Sequence, residues 1–143
     1  MSRHVVIRRP EFVAGKEIDL FTQTSKPPRL PTPTGSIAAG ERVWMKWSPG
    51  RELVATGLVE RFVELPMCTV NELREATKGY RLNGHDEYWD DVRRRKGEPV
   101  NGLVVFLTEG RWLTRPYGLV EWLSHNRDSW VVDPPGASRY PVR

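Results

Sequence analysis

Residues 43–64 carry the pattern that most restricts the fold. Val43-Trp44-Met45-Lys46-Trp47 is rich in β-branched and aromatic side chains, and it stops at Ser48-Pro49-Gly50, where proline and glycine end any ladder. Glu52 to Glu64 is a second, longer β run, so the two read as a hairpin. A lone hairpin is marginal in water and needs further strands or a covering helix.

Such elements are legible on both sides. His4 to Ile7 is a short β-branched run ended by Arg8-Arg9-Pro10, Gly102 to Leu107 is the most apolar run and reads as a central strand, and Trp130-Val131-Val132 reads as a last strand. Phe12 to Leu20 reads as a short helix passing into a strand. Pro27 to Gly35 places four prolines in nine residues and cannot continue a helix or a ladder, which predicts an exposed, mobile loop. Thr69-Val70-Asn71-Glu72 has the form of a capping box, predicting a helix over Asn71 to Lys78 with Gly79 as its stop. From Asp86 to Lys96 acids come first and Arg93-Arg94-Arg95-Lys96 last, the order a helix dipole favours, with Tyr88, Trp89 and Val92 on one side. Pro116 is expected to open a further helix with Leu119, Val120 and Leu123 inward. The expectation is one α+β domain, a curved and mostly antiparallel barrel with helices covering its ends.

A chain of 143 residues can bury a core without staples, and 38% hydrophobic with 28% charged residues is a globular composition. Twenty-two basic against 18 acidic residues give a net charge of +4, which favours anionic partners. Cys68 is the single cysteine, so no internal disulfide can form, and a reducing, cytoplasmic setting is expected. Met1 to Arg9 lacks the secretory pattern, and no run approaches the roughly 18 apolar residues of a membrane helix. A soluble protein is expected. His4, His85 and His125 show no metal-ligand spacing and read as surface or capping residues, and no glycine-rich phosphate loop occurs. No cofactor or metal is expected.

Six tryptophans are many for this length. Held beside polar groups, an indole can stack on a base; otherwise it fills the core. Strict alternation puts Val43, Met45 and Trp47 on one strand face and Trp44 and Lys46 on the other. Trp47-Ser48 at a strand end, and Ser129-Trp130 at the mouth of the last strand, are candidate walls of a base pocket. Arg93, Arg94, Arg95 and Lys96 could hold phosphates, with Arg8, Arg9, Lys26, Arg29, Lys46 and Arg51 able to widen the patch; alternatively the basic run is a solvated helix end. Lys16 with Asp19, or Lys46 with Glu60, could supply a lysine and a carboxylate for hydrolysis.

The order of elements resembles the PUA-like superfamily, particularly its ASCH and EVE branches. Gly40-Glu41-Arg42-Val43 followed by Val54-Ala55-Thr56-Gly57-Leu58-Val59 is similar to the family's "GDRV" strand and the glycine-bent strand behind it. Leu103 to Phe106 with Arg111 to Pro116 resembles the later strand, and Ser138-Arg139-Tyr140-Pro141-Val142 the closing EVE segment. Gly15-Lys16-Glu17-Ile18-Asp19 is similar to the ASCH motif Gly-x-Lys-x-x-Glu-x-Arg, with Phe21 at the arginine position. The resemblance implies recognition of RNA or a modified base in a barrel cleft, some ASCH members hydrolysing RNA or acetylated cytidine. The expected function is therefore nucleic-acid binding, with contacts from Trp47, Ser48, Arg51, Arg93, Arg94, Arg95, Ser129, Trp130 and Arg139. A ribonuclease or amidohydrolase acting through Lys16, Asp19, Lys46 or Glu60 is the alternative, and a protein-interaction module using the proline-rich loop is a third.

Overall fold

The computed structural model describes residues 1–13, 15–81, 86–120 and 129–143. Six strands form one sheet: β1 (Arg3–Arg8), β2 (Leu20–Ser25), β3 (Arg42–Trp47), β4 (Glu52–Cys68), β5 (Val100–Gly118) and β6 (Trp130–Val132), in the order β2-β5-β4-β3-β1-β6. All neighbours are antiparallel except β1 and β3, which run parallel from Arg3↔Arg42 to Arg8↔Trp47. The helical elements among the described residues are the short α1 (Pro10–Val13) and α2 (Val70–Glu75), the longer α3 (Asp86–Lys96) and a 3-10 turn at Ala137–Arg139.

The hairpin of β3 and β4 forms as expected. β4 and β5 are long enough to bend, and their ladder slips at four places, one of them between Thr56 and Leu58, at Gly57 of the strand expected to bend there. Bending brings the ends of the sheet together: on β1, the Arg8 guanidinium donates to the Thr22 carbonyl of β2 at 2.5 Å and to Gln23 Oε1 at 2.9 Å. The concave interior is packed with Val6, Phe21, Val43, Met45, Val105 and Trp130. On the convex side, α2 and α3 cover β2 and β5 through Leu73, Trp89, Val92, Val104 and Phe106, while Leu113, Leu119, Ala137 and Tyr140 cover Val5 and Trp44. The helices thus lie on the outer face of the sheet rather than over barrel ends. Gly110 permits one tight crossing, since a Cβ there would sit 1.7 Å from the Ile18 carbonyl oxygen.

Several local expectations are corrected. Pro116 opens no helix; it lies inside β5, where Leu53↔Tyr117 and Glu52↔Gly118 still pair. Val120 is exposed rather than inward, and Leu123 lies outside the described residues. The helix expected over Asn71 to Lys78 runs from Val70 to Glu75, with the capping box in place: Thr69 Oγ1 accepts from Glu72 N and Glu72 Oε1 from Thr69 N. The segment expected as a helix passing into a strand is one turn, Pro10–Val13, separated from β2. The proline-rich loop is tied down: Pro31 and Pro33 are buried, the Thr32 carbonyl accepts from Gln23, and the Arg29 carbonyl accepts from Ser25 and Asn101.

Candidate functional site

Because β1 and β3 are parallel, their carboxyl ends lie together, with the chain entering β6 beside them: Ile7 N donates to the Ser129 carbonyl and Ser48 N to the Arg8 carbonyl. The curl of the sheet sets β2 and α3 opposite. Between them opens a cleft of about 230 Å³. One wall is Ile7, Arg8, Arg9, Ser48 and Ser129; the other is Thr22, Gln23 and Thr24 of β2 with Tyr88, Asp91, Val92, Arg95 and Lys96 of α3. Four cations face one carboxylate among these residues, so the cleft is positive.

Hydrogen bonds fix the walls. Thr22 Oγ1 and Tyr88 Oη lie 2.6 Å apart, joining β2 to α3, and Lys96 donates to the Thr24 carbonyl at 3.0 Å. Arg8 lies 5.5 Å from the Phe21 ring centre, and burial lowers its proton affinity from the ordinary arginine value, with Tyr88 countering and Arg95 adding to the shift. Ser129 sits at φ 55°, turning the chain into β6. Neither the Ser48 nor the Ser129 hydroxyl has a partner among the described residues, so both remain for a ligand.

The expected site residues divide. Ser48, Ser129 and Arg95 line this one cleft. Arg93 points the other way, toward Asn71 of α2, Asp90 and Glu98. Arg94 is exposed and paired with Asp91. Trp130 is a correction: it is fully buried, its indole N–H donates to His4 Nδ1 at 3.0 Å, and Phe21 meets it edge-on, so no base can stack there. Trp47 is half-buried against Trp112, ring centres 5.6 Å apart, and does not line the cleft. The expected aromatic walls are replaced by polar ones, with Tyr88 the aromatic member. Arg51 lies exposed at the β3–β4 turn, and Arg139 in the 3-10 turn near the opposite end of β1.

Lys46 and Glu60 are not brought together. Lys46 pairs with Leu53 at one end of the β3–β4 ladder, while Glu60 lies beyond the Arg42↔Leu58 pair at the other. The Lys46 ammonium is almost wholly buried, donates to the Trp47 and Gly50 carbonyls, and is held below the ordinary lysine value by that burial. It anchors the turn that carries Ser48. Lys16 and Asp19 do share a second surface cleft, with Glu109, Arg111 and Trp112, but the Asp19 carboxylate accepts from Arg81 N at 2.5 Å. His4 is not on the surface: buried, it receives the Trp130 N–H on Nδ1, which leaves Nε2 to donate to Glu41 Oε1 at 2.9 Å. His85 and His125 lie outside the described residues.

Sequence reasoning misses Thr22, Gln23 and Asp91 as cleft residues, whereas Lys96, which does line the cleft, belongs to the basic run it singles out. A polar Thr22-Gln23-Thr24-Ser25 run inside a buried strand is the signal that could have found the first two.

Three solved structures share this architecture. The ASCH protein from Zymomonas mobilis superposes with a TM-score of 0.53 at 19% identity over 82% of this chain and 73% of that one, and a point mutant of the same protein with 0.52 at 18% over 82% and 76%. The N-terminal domain of Staphylothermus marinus McrB gives 0.50 at 13%, over 81% and 76%. The fold is PUA-like. No protein-family model matches the sequence, and no curated relative matches it. The PUA-like sheet here places its cleft at the joined ends of β1, β3 and β6, and no helix among the described residues is long and apolar enough to cross a membrane.

Proposed function

We propose that this chain is a nucleic-acid-binding domain whose cleft takes a single-stranded or extruded nucleotide of RNA or modified DNA. The observation that carries this reading is the cleft itself: Arg8, Arg9, Arg95 and Lys96 converge on a polar hollow where two serine hydroxyls have no partner among the described residues. Cations of that density suit phosphates, and hydroxyls suit a base edge or a sugar. The PUA-like fold supports the same reading, because the sequence resemblance implies base recognition in a barrel cleft. Buried Trp130 removes stacking on that indole from the account, so affinity rests on charge and hydrogen bonds.

The test is binding of short single-stranded oligonucleotides over a salt series. Arg9→Ala and Arg95→Ala each weaken binding for all sequences and flatten the salt slope by about one unit, since each removes one phosphate contact. Unchanged affinity and slope in both would refute the reading. Hydrolysis at the Lys16–Asp19 cleft is the second reading, favoured by their shared surface with Trp112. Turnover of RNA or an acylated nucleoside that disappears in Lys16→Ala and persists in Arg95→Ala would establish it.

A further inference from the structure

Asp91 is the single carboxylate among the described residues of the cleft wall, and guanidinium groups converge on it. Its Oδ1 accepts from Arg94 Nη2 at 2.5 Å and its Oδ2 from Arg95 Nε at 2.7 Å. Burial pushes the carboxyl up, but Arg95, Arg94 and, from the end of β1, Arg9 together hold it below the ordinary aspartate range. Arg95 commits only Nε, and its two terminal nitrogens have no partner among the described residues. The Asp91 side chain is 18% exposed, whereas Asp90, one residue earlier on the same helix, is 69% exposed and pairs with Arg93 on the side toward α2. Spacing alone would let either acid pair with an arginine one turn on. Only Asp91 does so at the wall of a cleft that Arg9 also lines, Arg9 itself lying 3.9 Å from the exposed Glu11 carboxylate.

Several guanidinium forks around one anion form the arrangement that phosphate recognition uses. We propose that Arg9, Arg94 and Arg95 form a phosphate site that Asp91 fills in the free protein, and that a ligand phosphate displaces this carboxylate on binding. The proposal rests on the nucleic-acid reading only for the source of the phosphate. The internal carboxylate lowers affinity for every polyanion and ensures that a ligand must offer more than one charge to enter. No covalent step is involved.

The experiment titrates two probes, inorganic tripolyphosphate and a short single-stranded RNA, into wild type, Asp91→Asn and Asp90→Asn, with melting recorded for each. Removing one like charge some ~4 Å from a bound phosphate tightens binding about fivefold in water-like surroundings, so both probes gain that much in Asp91→Asn. Asp90→Asn, with the same change in net charge, stays within about twofold of wild type. Asp91→Ser is read alongside, so that a packing defect in one variant cannot pass for the effect. Equal gains in Asp90→Asn, or unchanged or weaker tripolyphosphate binding in both Asp91 variants, overturn the proposal. Tighter tripolyphosphate binding with no RNA binding in any protein upholds the phosphate site and refutes RNA as its source.

Discussion

Glu41 shows how much one side chain can organise. Its carboxylate accepts from His4 Nε2, from Ser2 N at 2.7 Å and from Ala38 N at 2.8 Å, joining the start of β1 to the approach to β3. Burial raises its pKa, but these three hydrogen bonds outweigh it and hold the group below the ordinary glutamate range. A carboxylate depressed in the folded state contributes stability above its unfolded pKa and loses it as pH falls through the folded value. Melting of wild type should therefore drop more steeply below about pH 5 than that of Glu41→Gln, which is the less stable of the two at about pH 7. Parallel curves would contradict this. Trp130 belongs to the same cluster through His4, and Trp130→Ala should cost about 3–5 kcal/mol in chemical denaturation. The sequence could not show this, because Asp128-Ser129 beside Trp130 suggests a surface, while the partner that buries it stands 126 positions away in the chain.

Among the elements, those governed by local chemistry were legible and those governed by distant pairing were not. The capping box and the acid-to-base order of α3 are written within a few residues, and both helices form, α3 over the expected residues and α2 starting at its capping box but ending three residues early. Thr69→Ala should cost about 1 kcal/mol of stability with oligonucleotide affinity unchanged, since α2 does not line the cleft. Pro116 misled because proline opens helices, yet it is tolerated where a strand has one neighbour. Beyond Phe106 the described pairs give β5 only β4 as a partner, so that stretch is an edge. The proline-rich loop misled in the opposite sense. Asn101 accepts from Met67 N and donates to the Arg29 carbonyl, holding the loop to the sheet. Replacing buried Asn101 by alanine should cost about 1–3 kcal/mol and raise protease cleavage within residues 27–35.

At the scale of the molecule, the cleft follows from the sheet's curl and from one parallel pair. The sequence pointed to Ser48 and Ser129 as neighbours through the PUA-like resemblance, and these two do share a wall. What opposes them, β2 and α3, depends on how far the sheet bends, which no local pattern encodes; hence polar side chains replaced the expected indoles. Basic residues outnumber acidic ones only slightly, so position has to separate binding from bulk attraction. The most direct measurement is an amide NMR titration with a short single-stranded oligonucleotide at physiological salt. Saturable shifts are expected to cluster at Ile7 to Arg9, Thr22 to Thr24, Ser48, Tyr88 to Lys96 and Ser129. Shifts centred on Lys16 to Asp19 and Thr108 to Trp112, or none that saturate, would contradict this.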